Sequence, residues 1–88
     1  MIFITFGKWR KKPTKELMAQ VNELFAQGAK EGITFGKAYW TLGRYDMIAI
    51  AEAKDEKVVM KNLLRMGDLV ATETLVAVPR EEAIKLVE

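Results

Sequence analysis

The chain contains no cysteine and no histidine. Without cysteine there is no disulfide, no thiol nucleophile and no thiolate metal site. Without histidine the commonest general base, the commonest transition-metal ligand and the usual proximal haem ligand are all missing. Carboxylates are then the remaining metal donors, and they are scattered. The adjacent pair Glu81-Glu82 stands at a helix start, where acids oppose the macrodipole in any case. No Gly-rich phosphate loop is present either, because "FGKAYWTLG" has the wrong spacing for both nucleotide fingerprints. Neither a cofactor nor a metal is expected. Long apolar runs are also lacking, and none approaches the roughly 20 residues of a membrane helix. The opening "MIFITFGKW" reads as a strand rather than a charged leader followed by a signal core. The expectation is a soluble, cytoplasmic protein without membrane contact.

What is present fits one small domain, residues 1–88, with no linker, repeat or low-complexity segment. A chain this short buries only roughly 60–65% of the surface its unfolded form exposes, so its core is marginal when it stands alone. Half of the residues are apolar and 30% are charged, a balance that argues against disorder. The net charge of +2 is unevenly spread: residues 1–44 carry eight Lys/Arg against three Glu, and residues 45–88 six against nine Asp/Glu. Much of the excess lies in Lys8, Arg10, Lys11, Lys12 and Lys15, around Trp9. Such a run is a candidate polyanion site, and it is more commonly a solvated loop entering a helix.

The pattern along the chain alternates between strand and helix periods. Ile2 to Phe6 has the composition of a buried strand. Pro13-Thr14 opens a helix whose apolar stripe is Leu17, Met18, Val21, Leu24 and Phe25, with Gly28 and Gly32 bracketing its end. Ile33 to Leu42 reads as a second strand, with a bulge or close approach at Gly36. Leu42-Gly43-Arg44 then turns the chain into a third strand, Tyr45 to Ala53. Asp55 is the N-cap of a second helix that buries Val59, Leu63 and Met66, and Gly67 is placed as its C-cap. Leu69 to Val78 forms a fourth strand, Pro79 stops it, and "REEAIKLVE" closes the chain as a short helix. The order βαββαβ predicts an α+β ferredoxin-like domain, a four-stranded antiparallel sheet with both helices on one face. Both sheet faces nevertheless read as apolar: in the third strand Met47, Ala49 and Ala51 oppose Ile48 and Ile50, and in the first Phe3 opposes Ile2, Ile4 and Phe6. A face left in water should alternate with polar residues. The second face is therefore expected to meet another copy about a twofold axis, giving a homodimer and leaving higher oligomers open.

The run Tyr39–Asp46, "YWTLGRYD", gathers three aromatics, a turn glycine, a cation and a carboxylate. It continues as "MIAIAEAKDE", is preceded by "MIFITFGKWRKKPTKE" and is followed later by "TETLVAV". With these flanks it resembles the GYD-domain family, whose Gly-Tyr-Asp signature stands here as Gly43, Tyr45 and Asp46 with Arg44 between. The likeness runs from Met1 to about Pro79. It implies the fold of the dimeric α+β barrels, in which two ferredoxin-like sheets pack face to face. The family's biochemical role is largely unassigned. The wider superfamily is implied to include small monooxygenases, isomerases, haem-degrading enzymes, and ligand-sensing or purely oligomeric modules.

Five residues of that run are candidates for binding a ligand: Tyr39, Trp40, Arg44, Tyr45 and Asp46. Arg44 and Asp46 would be polar handles, able to hold a carboxylate or enolate and to move a proton, with the three rings as walls. The same residues have a structural reading, in which Arg44 and Asp46 pair or cap the hairpin and the rings cover core or interface. Asp46 and Glu52, six residues apart on one strand, stand roughly 20 Å apart and cannot act as a dyad. No catalytic residue is assigned. The expected function is binding of a small organic ligand in a cavity between sheet and helices. The alternatives are a non-catalytic assembly or sensing module, a cofactor-free monooxygenase- or isomerase-like enzyme, and an RNA-binding domain. RNA modules of this topology stack bases on aromatics of strands one and three. The third strand here, "MIAIAEA", offers only Ile and Ala, so nucleic acid is disfavoured as a partner.

Overall fold

The computed structural model describes residues 1–87, and Glu88, the last residue of the expected terminal helix, lies outside them. The elements are β1 (Ile2–Trp9), α1 (Lys15–Lys30), β2 (Thr34–Trp40), β3 (Met47–Glu52), α2 (Glu56–Arg65) and β4 (Val70–Ala77). A single-turn α3 (Arg80–Ala83) follows and tightens into a 3-10 turn at Ile84–Leu86. The sheet order is β2-β3-β1-β4, with every neighbouring pair antiparallel. Residues of α1 and α2 pack against one face of it, which is the ferredoxin-like arrangement.

Local chemistry explains where the helices begin and end. Thr14 caps α1, its Oγ1 accepting from the Leu17 N–H at 3.1 Å. At the other end Gly32 adopts φ +109°, and the N–H groups of Gly32 and Ile33 return to the carbonyls of Ala29 and Gly28. That is a Schellman stop, in which only glycine takes the left-handed position without strain. Gly28 and Gly32 bracket this end as expected; Gly28 lies in the last turn of α1 and is buried against α2, where a Cβ would sit 2.8 Å from Asn62 Oδ1. Asp55 caps α2, its Oδ1 accepting from the N–H groups of Lys57 and Val58. Gly67 is not the C-cap. Met66 ends α2 in a right-handed conformation, and the Leu69 and Val70 N–H groups fold back onto its carbonyl. A turn built this way needs no left-handed residue.

The core lies between helices and sheet in two contiguous groups. One joins Leu17 and Val21 of α1 to Met47, Ala49, Met66, Leu69 and Val70. The other joins Phe3, Ile33, Ala51, Ala53 and Val59. Small alanines on β3 let the helices approach the sheet, while the larger side chains come from α1 and β1. On the opposite face Ile2, Ile4, Phe6 and Ile48 are half-buried, and Ile50 and Leu75 are exposed at 36% and 46%.

One ion-pair cluster ties the two helices together. Glu31, just past the end of α1, bonds Arg65 of α2 at 2.5 Å and lies 3.2 Å from Lys61 Nζ. A carboxylate at a helix C-terminus opposes the macrodipole, so these cations offset an unfavourable placement. The Arg65 hydrogen bond holds the Glu31 carboxyl below its ordinary range. A depressed carboxyl pKa contributes stability above the unfolded value and loses it as pH falls through the folded one. The melting temperature of Glu31→Gln should therefore lie below that of the parent near neutral pH. The gap should close in strong acid, and a gap independent of pH would exclude the ion pair as its source.

Candidate functional site

The register of the β2–β3 hairpin decides which aromatics meet. Phe35 pairs with Ala51 and Ala38 with Ala49, so Gly36 and Lys37 together oppose the single residue Ile50. This is the bulge expected at Gly36, where a Cβ would lie 3.2 Å from the Ile50 carbonyl oxygen. The extra residue shifts the alternation of everything after it. Trp40 pairs with Met47 and so joins the helix-side face, while Tyr39 pairs with Ile48 on the open one. Trp40 then meets Trp9 of β1 edge-on, with ring centroids 5.7 Å apart. Phe25 of α1 meets Phe35 in the same manner at 4.9 Å.

These two aromatic pairs wall a cleft of about 330 Å³ between α1 and the β2 edge of the sheet. Met18, Val21, Met47 and Ala49 complete its apolar lining, Tyr39 borders it, and Asn22 and Lys37 stand at it as polar groups. A smaller cavity of about 30 Å³ lies deeper and shares Phe25, Phe35, Met47 and Ala49 with the cleft. Asn62 lines this inner space and is only 3% exposed. Its Nδ2 makes a long contact of 3.9 Å to Met66 Sδ, and its Oδ1 lies against Gly28 without a hydrogen-bond partner. A buried carbonyl left unpaired costs about 1–3 kcal/mol. Sequence reasoning missed Asn62. The available signal was an amide at the position three after Val59 and four before Met66, on the apolar stripe of α2.

Asp46 serves the framework. Its carboxylate accepts from the Trp9 N–H at 2.9 Å, its own N–H donates to the Gly7 carbonyl at 2.8 Å, and its carbonyl accepts from the Thr41 N–H at 2.8 Å. Thr41 Oγ1 in turn donates to the Tyr45 carbonyl at 2.7 Å. Gly43, at φ +102°, turns the loop between them. Residues 45 and 46, expected within the third strand, therefore belong to the connection. The strand starts at Met47 because Asp46 has turned its side chain onto β1. Tyr45 lies over Phe6 at a centroid distance of 5.0 Å, on the face away from the cleft. Its hydroxyl donates to Glu73 Oε2 at 2.6 Å, and that bond raises the phenol above its ordinary range. Arg44 is exposed and its carbonyl accepts from Lys8 Nζ at 3.4 Å. Of the five candidates, Tyr39 and Trp40 thus adjoin the cleft, while Arg44, Tyr45 and Asp46 gather at the junction with β1 and β4. Among the described residues no group of three or more acidic side chains is placed to hold a metal ion.

Removing the Asp46 acceptor should be costly even though the residue is only half-buried. Asp46→Ala is expected to lower stability by roughly 1–3 kcal/mol in urea titrations, because the Trp9 N–H loses its partner. Asp46→Asn keeps an acceptor oxygen and should cost less. Equal stability of the alanine variant and the parent would remove the framework role.

Comparison with known proteins places this geometry. No curated protein matches the sequence. Among solved structures, FFRP-DM1 is 21% identical with a TM-score of 0.60, over 88% of this chain and 97% of that one. A protein from Streptomyces coelicolor A3(2) is 16% identical with a TM-score of 0.57, over 88% and 95% of the two chains. A dimeric ferredoxin-like protein of unknown function from Thermobifida fusca is 15% identical with a TM-score of 0.51, over 86% and 89%. Likenesses at these identities speak for the fold alone. The family model of the GYD domain matches residues 3–87, so the chain belongs to the GYD-domain family.

Proposed function

We propose that this protein is a self-associating domain that binds a small, largely apolar organic molecule in the cleft between α1 and β2. The observation that carries the reading is an aromatic-walled cleft that shares a wall with a small inner cavity lined by a buried, unpaired amide. Its volume of about 330 Å³ is at the small end of ligand pockets, which are mostly apolar with a few placed polar groups. Asn62 is such a group. A ligand that brings a hydroxyl or N–H to Asn62 Oδ1 would satisfy it, and one without would leave the penalty standing. Tyr39 and Trp40 belong to the contact surface in this reading, and Arg44, Tyr45 and Asp46 hold the hairpin that presents Trp40.

Both tryptophans of the chain border the cleft, so their fluorescence reports its occupation. Titration with 2-naphthol should change that emission saturably, and 2-methoxynaphthalene should bind more weakly. Asn62→Leu replaces an unpaired polar group by an apolar one of similar size, and is expected to be neutral or stabilising. It should abolish the preference for naphthol. No saturable change in the parent with either compound would rule out the cleft as a binding site for molecules of this size.

Self-association rests on the open sheet face. An antiparallel sheet with one face in water should carry alternating polar residues there. This face presents Ile2, Ile4, Phe6, Ile48, Ile50 and Leu75, with Glu52 and Glu73 beside Ile2 and Phe6. A second copy covers such a face without any new sequence feature, and the similar Thermobifida fusca protein is described as dimeric. Sedimentation at micromolar concentration should report a dimer or a multiple of it. Leu75→Lys, on an exposed position, should shift the population to monomer while the fold is kept. A monomeric parent protein would exclude the face-to-face assembly.

A further inference from the structure

The cleft itself borders one charged side chain, a lysine, while a shallow depression next to it that shares Gly36 and Ile50 includes Glu52, paired with Ile2 on the open face of the sheet. Among the described residues the cleft's only lysine or acid is Lys37, and no Asp or Glu borders it. A second depression opens beside it at the start of α1 and shares Met18, Asn22 and Trp40. It adds Lys15 and again no acid. Lys37 and Lys15 therefore border two adjoining depressions, from β2 and α1 respectively, with Asn22 common to both. Among the described residues every ion pair involves Glu31, with Lys61 or Arg65, so neither of these lysines has an acidic partner. The bulge contributes as well, because it places Lys37 where β2 departs from its regular pairing with β3.

We infer that the ligand of this cleft is an amphipathic monoanion, an aromatic or similarly apolar carboxylic acid. Its ring system lies between the two aromatic pairs, and its carboxylate emerges toward Lys37 and Lys15. This rests on the reading that the cleft binds an organic molecule, and adds the class of that molecule. An apolar cleft favours desolvated rings whatever their charge. Unpaired cations beside it then discriminate: they attract an anion, leave a neutral analogue unaffected and repel an amine. Phosphate esters fit less well. Their recognition uses converging backbone N–H groups or a bidentate guanidinium, and no arginine borders either depression.

The matched pair 2-naphthylacetate and 2-naphthylacetamide differs only in the charge of the polar end. Calorimetry and amide chemical shifts of the full-length protein at low ionic strength should show the acid binding about fivefold tighter, the scale of a partly exposed ion pair. The preference should shrink in high salt. Lys37→Met, on an exposed strand position, should reduce it to less than about half, and Lys37→Met with Lys15→Met should abolish it, while affinity for the amide stays unchanged. Equal or tighter binding of the amide to the parent protein would overturn the assignment of an anion and leave the cleft reading intact. A preference for the acid that survives in the double variant would also overturn it, since the two lysines would not be its cause. Absence of binding by both compounds would remove the cleft reading, and this inference with it.

Discussion

Asp46 joins three strands at one point. Its backbone closes the β2–β3 hairpin through Thr41 and extends the β1–β3 pairing through Gly7, and its carboxylate takes the N–H of Trp9. Each bond alone is modest, and the carboxylate bond is the strongest kind because its acceptor is ionised. Together they fix where the hairpin tip lies against β1. The position of Trp40 relative to Trp9 depends on that registration, and so does the outer wall of the cleft. The Gly-Tyr-Asp signature is thus intelligible as a joint. Gly43 supplies the left-handed turn, Asp46 locks the turn to β1, and Tyr45 covers Phe6 while bonding Glu73 of β4.

The joint also separates the two faces of the sheet chemically. On the helix side, the bulge at Gly36–Lys37 brings Trp40 into line with Trp9, and small alanines on β3 leave room beneath. That room is the cleft, and the smaller cavity that shares its wall is lined by Asn62. On the other side, regular alternation collects Ile2, Ile4, Phe6, Ile48 and Ile50 into an apolar surface. A single strand pair therefore lines a cavity on one face and an apolar surface on the other. The inserted residue shifts the phase of β2, so that Trp40 rather than Tyr39 falls on the helix side.

Charge follows the same division. The basic excess of the N-terminal half includes Lys15 and Lys37, which flank the cleft. Three acids of the C-terminal half are used structurally. Asp55 caps α2, Asp46 holds Trp9, and Glu73 receives the Tyr45 hydroxyl. Glu31, from the basic half, is occupied by Arg65 and Lys61. Acids with local partners leave the flanking lysines free, and the cleft acquires its sign from that difference.

The fold was legible in the residues because it depends on short-range patterns. The stripe from Leu17 to Phe25, the caps at Thr14 and Asp55, the left-handed stop at Gly32 and the apolar alternation of β1 and β3 are each set within a few positions of chain. So is the bulge at Gly36, since a glycine inside a strand pattern marks a departure from regular pairing. The site was only partly legible. Trp40 and Tyr39 stood out as aromatics, whereas Asp46 and Arg44 looked equally suited to a ligand or to a turn. What separates those readings is the partner of the Asp46 carboxylate, a backbone N–H at the far end of β1, 37 positions away in sequence. Asn62 carried only a weak sequence signal, an amide on a helix stripe, and Lys37 carried none, since a lysine on a strand is ordinary. What sets them apart is burial against Gly28 for the one and a place at the cleft for the other. The sequence alone determined the ferredoxin-like fold, the family and the excluded chemistries. Only the tertiary structure decided which side chains face one cavity, since that depends on registry between distant strands, and local patterns do not encode it.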